Sequence, residues 1–182
     1  MIYKRPFPVI QGWMSITELQ WLYNTAKKYK SIVEVGVWKG RATHALCMGI
    51  KENGGTVAAV DHFQGTDGYE LNFFEVLHTD IYSIFMSRMG QFANLKVYKM
   101  KSEEAAPYID EAEMIFLDAD HSYEEVKKDL ELWGPKATKM ICGHDYRLSF
   151  EGVKKAVMEK YGVPKIVDSI WYVEVDNGQV QG

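Results

Sequence analysis

Apolar residues recur along the chain at two alternating spacings. Runs of consecutive or alternating apolar residues predict β-strands, and apolar residues three or four positions apart predict amphipathic helices. The predicted strands are Ile32–Val35, Thr56–Val60, Leu95–Met100, Met114–Leu117, Met140–Cys142, Lys165–Val167 and Ile170–Val175. The predicted helices are a first one from the capping box of Ser15 and Glu18 to Tyr29, followed by Arg41–Lys51, Phe73–Met89, Ser102–Ile109, Ser122–Trp133 and Phe150–Tyr161.

This alternation of strands and helices predicts an α/β fold. The run Met114–Leu117 is apolar throughout, which is typical of a strand buried on both faces of a parallel sheet. The last two predicted strands flank Asp168 and Ser169 and indicate a hairpin. We therefore predict a three-layer αβα sandwich of the Rossmann-like type, with a mostly parallel seven-stranded sheet and an antiparallel C-terminal hairpin. One domain is expected, with residues 1–30 as an N-terminal lid or helix and residues 31–175 as the core.

Composition and charge argue against a disordered, a nucleic-acid-binding or a membrane protein. The chain has 182 residues, of which 47% are hydrophobic and 25% charged, so it can bury a full core and is not disordered. Its net charge of −4 argues against non-specific binding to nucleic-acid phosphates. The longest apolar runs are too short to span a bilayer, and we expect a soluble, cytoplasmic protein that binds neither nucleic acid nor membrane.

Ligands of open α/β sheets bind beyond the carboxyl ends of the strands. Five segments occupy such positions, namely Glu34–Gly40, Asp61–Phe63, Ser102–Glu103, Asp118–His121 and His144–Tyr146. We therefore expect the chemistry of this protein to come from these segments. The segment His62–Asn72 is long for a connection between a strand and a helix, which favours a functional loop.

The first segment combines an acidic residue with two glycines. Gly36 and Gly40 allow the backbone to approach a ligand closely, but the third glycine of the dinucleotide-binding fingerprint is missing. Glu34 would repel a pyrophosphate and attract an ammonium or sulfonium group. Asp61 ends the next strand, where a carboxylate can accept both hydroxyls of a ribose. The pattern favours a nucleoside site with a cationic group over an NAD-dependent oxidoreductase, and a tight turn without ligand is the alternative.

Two further strand ends carry carboxylates and imidazoles. Asp118, Asp120 and His121 follow one strand, and His144 and Asp145 follow the next one. Such oxygen and nitrogen donors are typical ligands of a divalent cation. Alternatively, Asp120 and Ser122 cap the helix that begins near Tyr123, and His144 and Asp145 are loop residues that bind backbone.

These segments together resemble a known family. The stretches in question are VEVGVWKGRAT (Val33–Thr43), VAAVDHFQG (Val57–Gly65), KSEEA (Lys101–Ala105), IFLDADHSYEEVKKDL (Ile115–Leu130) and MICGHDY (Met140–Tyr146). They resemble the class I S-adenosylmethionine-dependent methyltransferases, in particular the cation-dependent small-molecule O-methyltransferases of the caffeoyl-CoA and catechol type and the bacterial macrocin and sugar type. The resemblance covers residues 31–175.

The resemblance implies a role for individual residues. Glu34, Gly36 and Gly40 would line the methionine part of S-adenosylmethionine, and Thr43 would replace a serine that binds the cofactor carboxylate. Asp61 would hold the ribose. Ser102 and Glu103 would contact the adenine, His62 would lie near the adenine face, and Asp120 would face the cofactor. Asp118, His144 and Asp145 would bind a divalent cation, and His121 would be the catalytic base. Because His144 replaces a carboxylate or carboxamide of the relatives, manganese, iron or zinc suits the site at least as well as magnesium.

The predicted function is methyl transfer from S-adenosylmethionine to a hydroxyl of a small molecule, assisted by a divalent cation. The predicted partner is a small-molecule acceptor, and a homodimer is left open. One alternative is an O- or N-methyltransferase without metal, in which Asp118, Asp120 and His121 act directly. Another is a non-catalytic binding module that keeps the fold and uses the His62–Asn72 loop for a partner protein.

Overall fold

The computed structural model describes residues 9–65, 75–176 and 179–180. Its helices are α1 (Ile16–Ala26), α2 (Arg41–Lys51), α3 (Ile81–Met89), α4 (Ser102–Ala105), α5 (Tyr123–Trp133) and α6 (Glu151–Tyr161). Its strands are β1 (Ser31–Val35), β2 (Thr56–Val60), β3 (Leu95–Tyr98), β4 (Ala112–Leu117), β5 (Ala137–Gly143), β6 (Lys165–Val167), β7 (Ile170–Asp176) and β8 (Gln179–Val180). Single 3₁₀ turns, Ala106–Tyr108 and Gly134–Lys136, follow α4 and α5.

The strands form one sheet in the order β3-β2-β1-β4-β5-β7-β6, with β8 paired to β7. Strands β1 to β5 pair in parallel, and β7 pairs antiparallel with β5, β6 and β8. The predicted fold class is therefore confirmed, with the two-residue strand β8 added to the seven predicted strands. Because β1 lies between β2 and β4, the carboxyl ends of these three strands meet at the middle of one sheet edge.

Two predicted helices differ from those observed, each for a local reason. The predicted helix Ser102–Ile109 is α4 followed by a 3₁₀ turn, in which Pro107 lacks the N–H that an α-helical hydrogen bond needs. The predicted helix Phe73–Met89 is interrupted before Ile81, because the Asp80 carboxylate accepts a hydrogen bond from Ser83 N and caps α3. Residues 75–78 are helical, whereas Phe73 and most of the predicted His62–Asn72 loop lie outside the described residues.

Helices cover both faces of the sheet and bury its apolar side chains. On one face, Leu22 of α1 and Leu46 of α2 pack with Ile32 of β1. On the other, Leu130 of α5 packs with Val33 of β1. Consecutive residues of β1 thus point to opposite faces and are both buried, as expected for a parallel strand inside a three-layer sandwich.

Gly36 sets the distance between the ends of β1 and β4. Its φ of +83° is in the left-handed region, and a Cβ at this position would overlap the carbonyl oxygen of Asp118 and lie 2.7 Å from Ala119 Cα. Only a glycine lets the two strand ends approach this closely.

Replacing Gly36 by alanine is expected to lower the free energy of unfolding by about 2–6 kcal/mol, because backbone strain and steric overlap each cost about 1–3 kcal/mol. Gly54→Ala is the matched control, since Gly54 has a φ of +74° but nothing within 4 Å of the added Cβ. Urea denaturation of both variants separates the cost of backbone strain, which both share, from the cost of steric overlap, which only Gly36→Ala has. Equal decreases in the free energy of unfolding would show that the overlap with Asp118 does not destabilise the protein.

Candidate functional site

A cleft of about 1330 Å³ runs along the carboxyl ends of the central strands. Of the residues that the sequence nominates, those that line it are Glu34, Gly36, Asp61, His62, Ser102, Glu103, Asp118, Asp120, His121, His144 and Asp145. Gly40 and Thr43 do not line it; Gly40 begins α2 and Thr43 is buried in the first turn of that helix. The fold therefore brings eleven of the thirteen nominated residues into one cavity.

Glu34 is a buried carboxyl group that the protein does not satisfy. Its exposed fraction is 0%, and among the described residues neither of its oxygens has a hydrogen-bond partner. Burial raises the pKa of Glu34 well above its usual value; the neighbouring Thr43 hydroxyl opposes this shift, and the charges of Asp118 and Asp61 add to it. An unpartnered acid at the wall of a cleft calls for a cationic or hydrogen-bonding ligand.

Asp61 connects the turns that follow β1 and β2. Its Oδ2 accepts hydrogen bonds from Val37 N at 2.9 Å and Trp38 N at 3.0 Å, and its Oδ1 accepts one from Phe63 N at 2.6 Å. A carboxylate has about four lone-pair positions, so these bonds leave room for one more donor. Asp61 thus holds the glycine turn in place, and its contact with a ribose stays a prediction.

The segment after β3 is tied to α5. The Ser102 hydroxyl donates to Asp129 Oδ1 and accepts a hydrogen bond from Trp133 Nε1 at 2.7 Å. Burial raises the pKa of Asp129 to about 6, although the bond from Ser102 opposes the shift. The hydroxyl proton of Ser102 is therefore used within the protein, and Asp129, which the sequence analysis did not nominate, is an additional acid of the cleft wall. Glu103 lies 3.3 Å from Lys128 Nζ.

His62 and Asp120 are both held by the backbone of their own loops. His62 Nδ1 accepts a hydrogen bond from Gln64 N at 3.0 Å, and Asp120 Oδ1 accepts one from Ser122 N at 2.7 Å. The contact of Asp120 is a local turn before α5 and not a cap of that helix, because the N-cap residue is Ser122 and its side chain makes no cap hydrogen bond. Since both residues also line the cleft, their predicted roles beside the cofactor stay predictions.

Two aspartates and two histidines converge at the ends of β4 and β5. Asp118, His121 and Asp145 each offer one ligand atom, and these atoms lie within 4.8 Å of one another. His144 Nδ1 lies 3.5 Å from Asp118 Oδ1 and 3.3 Å from Asp145 Oδ2. The three metal ligands and the base named from the sequence therefore lie close together, with Asp145 in contact with both histidines, and the donor set suits a divalent cation.

Both oxygens of Asp145 are engaged. Oδ2 lies 2.7 Å from His121 Nε2, and Oδ1 accepts hydrogen bonds from the Arg147 guanidinium, one of them from Nε at 2.7 Å. Burial alone would raise the pKa of Asp145, but the hydrogen bonds from His121 and His144 lower it. The His121 ring also packs against Phe150, with 4.5 Å between ring centroids. Asp145 is therefore charged, and Arg147 fixes its orientation.

His144 is buried, and its second nitrogen contacts the N-terminal helix. Nε2 lies 3.1 Å from Glu18 Oε1 and 3.1 Å from Ser169 Oγ. Burial alone would lower the pKa of His144, but Asp118, with further support from Asp145 and Glu18, raises it to about 12. Burial would raise the pKa of Glu18, yet the hydrogen bonds from His144 and Ser169 lower it to about 2. Burial raises the pKa of Asp118, while the charge of His144 opposes the shift.

The N-terminal segment contributes Gln11, Gly12, Trp13 and Met14 to the lining of the cleft. The Arg41 side chain donates to the carbonyl oxygens of Met14 at 2.9 Å and Ile10 at 2.6 Å, which fixes this segment over α2. Trp13 is 63% exposed and lies 6.0 Å from Trp38, measured between ring centroids. Two adjacent indoles at the opening provide an apolar surface for an organic ligand.

Comparison with known proteins agrees with this geometry. A family model described as a methyltransferase domain matches residues 33–146, which is more than half of the chain. No curated protein sequence matches the chain. Among the described residues, no helix is both long and apolar enough to cross a bilayer.

Solved structures share the fold at low sequence identity. The apo structure of a TDP-rhamnose 3'-O-methyltransferase of calicheamicin biosynthesis is 20% identical, with a TM-score of 0.59; the match covers 86% of this chain and 76% of that one. TomG, an O-methyltransferase of tomaymycin synthesis from Streptomyces achromogenes solved with SAM, is 11% identical, with a TM-score of 0.60; the match covers 90% of this chain and 82% of TomG. An O-methyltransferase from Bacillus cereus in complex with SAH is 15% identical, with a TM-score of 0.54; the match covers 84% of this chain and 71% of that enzyme. At these identities the likeness shows the fold alone.

Proposed function

Since this chain belongs to the methyltransferase-domain family, we propose that it transfers the methyl group of S-adenosylmethionine to a hydroxyl oxygen of a small molecule with the help of a divalent cation. The proposal extends the family assignment in three respects, the methyl donor, the acceptor and the cation. The family resemblance and the residues of the cleft support all three.

One observation carries the proposal. The unpartnered Glu34 and the Asp118–Asp145 cluster open into the same cleft, and Gly36 brings the ends of β1 and β4 into contact. A cationic methyl donor beside Glu34 would therefore lie next to an acceptor held at Asp118. Proximity of this kind contributes much of the rate acceleration in a two-substrate reaction.

The cofactor residues keep the roles that the resemblance implies. Glu34 would face the positive end of the cofactor, Gly36 and Gly40 would shape the turn around it, and Asp61 would add a ribose hydroxyl to the three N–H groups that it already binds. For the adenine end we propose Ser102 and Glu103 with His62, and Asp129 as an acid within the same wall. Asp120 would complete the site, whereas Thr43, which is buried and does not line the cleft, would not reach the cofactor carboxylate.

Asp118, His144 and Asp145 are the proposed ligands of the cation. Two carboxylates and an imidazole suit Mn²⁺, Mg²⁺ or another divalent ion, although Arg147 already occupies Oδ1 of Asp145. When bound, such an ion lowers the pKa of an acceptor hydroxyl and fixes its position. Oδ2 of Asp145 is the oxygen of this residue that faces the cluster.

His121 is the proposed base. When bound, S-adenosylmethionine would supply its methyl group to the acceptor oxygen and leave as S-adenosylhomocysteine, and His121 would take up the hydroxyl proton. Asp145 Oδ2, at 2.7 Å from His121 Nε2, orients the imidazole beside the proposed cation ligands. The Phe150 ring holds the imidazole in place.

Calorimetry and chelation test the proposal. We expect S-adenosylmethionine to bind at one site, NAD not to bind, and chelation to leave cofactor binding unchanged while methyl transfer to hydroxylated acceptors stops and returns with Mn²⁺. Transfer that persists after exhaustive chelation would favour the methyltransferase without metal. Absence of cofactor binding would favour the non-catalytic module and contradict the proposal as a whole.

A further inference from the structure

We propose that Glu18 is a positioning residue for the cation site: it holds the His144 ring so that Nδ1 is the ring atom presented to Asp118 and Asp145. This inference rests on the cation role proposed above. Glu18 belongs to α1, outside the segment matched by the family model, and the sequence pattern explains it fully as the capping-box acid of that helix.

Glu18 acts only as a hydrogen-bond acceptor. Its Oε2 accepts from Ser15 N at 2.6 Å, and its Oε1 accepts from Ser169 N at 3.1 Å and Ser169 Oγ at 2.5 Å. The remaining neighbour of Oε1 is His144 Nε2 at 3.1 Å. Because a carboxylate oxygen that already accepts two hydrogen bonds can interact favourably only with another donor, Nε2 of His144 carries a hydrogen.

The opposite nitrogen of the ring is directed to the carboxylates. Nδ1 lies 3.5 Å from Asp118 Oδ1 and 3.3 Å from Asp145 Oδ2, so two anionic oxygens and one ring nitrogen surround a common position. With the Nε2 hydrogen committed to Glu18, Nδ1 is the atom that can donate a lone pair to a cation, once the cation has displaced the proton that Nδ1 carries between the two aspartates in the metal-free protein. A carboxylate behind a metal-binding imidazole fixes its tautomer and increases its basicity.

Glu18 is itself held from two sides. The capping box fixes it at the start of α1, and the turn between β6 and β7 supplies both donors of Ser169. A second link joins these elements, because Ser15 Oγ donates to Asp168 Oδ2 at 2.7 Å. The N-terminal helix and the C-terminal hairpin therefore meet at the back of His144, where Glu18 and Ser169, and not the Ser15 side chain, contact Nε2 of the ring.

The test compares Mn²⁺ binding of the full chain by electron paramagnetic resonance in the wild type, Glu18→Gln and Ser15→Ala. We expect about 10–100-fold weaker binding in Glu18→Gln, the usual effect of losing a carboxylate behind a metal-binding histidine. Ser15→Ala is the matched control, since it removes the serine side chain from the cap but keeps the Ser15 N–H that binds Glu18. It should destabilise α1 and leave Mn²⁺ affinity within about twofold of the wild type.

A second measurement examines the contact without metal. In nitrogen-15 NMR spectra of chelated protein, the Nε2 hydrogen of His144 should exchange slowly with water in the wild type and in Ser15→Ala, and rapidly in Glu18→Ala. If the wild type binds Mn²⁺ and Glu18→Gln binds it equally well, the role of Glu18 is overturned while the cation site stands. Rapid exchange of the His144 Nε2 hydrogen in the wild type would have the same meaning. Absence of Mn²⁺ binding in the wild type would overturn the proposed cation site and, with it, this role of Glu18.

Discussion

Replacing Glu34 by glutamine is expected to weaken S-adenosylmethionine binding by about 10–100-fold, because a buried hydrogen bond to a charged group contributes about 1.5–3 kcal/mol.

Glu34→Gln should also remove a pH dependence of the free energy of unfolding. In the cofactor-free protein burial raises the pKa of Glu34 above its ordinary value of 4.5, so the folded state binds more protons than the unfolded state above that pH. Wild-type stability then falls as pH rises, by up to about 1.4 kcal/mol per pH unit, until the folded-state pKa is passed.

Two comparisons make the Glu34 experiment specific. S-adenosylhomocysteine lacks the sulfonium charge but keeps the ammonium group, so a larger loss for S-adenosylmethionine places Glu34 near sulfur, and equal losses place it near the ammonium. Glu131→Gln, an exposed change on α5, is the control for loss of one negative charge. Unchanged affinity for both ligands in calorimetry, or unfolding curves with the same pH dependence in Glu34→Gln and the wild type, would contradict the assigned role.

The fold could be predicted because its signals are local. Apolar runs such as that of β4 are explained only by burial on two faces, and glycine or proline marks most of the turns between elements. The errors also have local causes. Apolar periodicity alone cannot show that Asp80 caps a new helix, or that Pro107 changes α4 into a 3₁₀ turn. In both cases one side chain overrides the pattern of its neighbours.

The site could be predicted as far as it follows from strand ends. The rule that ligands bind at the carboxyl ends of parallel strands was enough to place Glu34, Asp118 and Asp145 in one cleft. It could not find Glu18, because that residue contacts His144 across 126 positions of the sequence and already has a sufficient local explanation. Arg147 is near Asp145 in sequence, but its contact depends on the backbone of Asp145, whose φ of +59° no local pattern indicates.

The second large effect is expected from Asp118, one of the three proposed ligands of the cation. Asp118→Asn keeps the size of the side chain and the backbone beside Gly36 but removes a negative charge from the proposed cation site. We expect Mn²⁺ binding to be lost and turnover to fall by about 10²–10³-fold, since a bound cation contributes several kcal/mol of transition-state stabilisation. Affinity for S-adenosylmethionine should stay within about twofold, because the cofactor is bound chiefly at the turns after β1 and β2.

His121→Ala decides between two donor sets that share Asp118 and Asp145. If His121 is the base and His144 the ligand, this variant loses turnover by about 10²–10⁴-fold, the usual contribution of a general base, but binds Mn²⁺ as the wild type does. If His121 is itself a ligand, as the 4.8 Å cluster of Asp118, His121 and Asp145 also allows, Mn²⁺ binding falls together with turnover. The 2.7 Å contact between His121 Nε2 and Asp145 Oδ2 favours the first result, because that spacing suits a hydrogen bond better than two ligands of one ion.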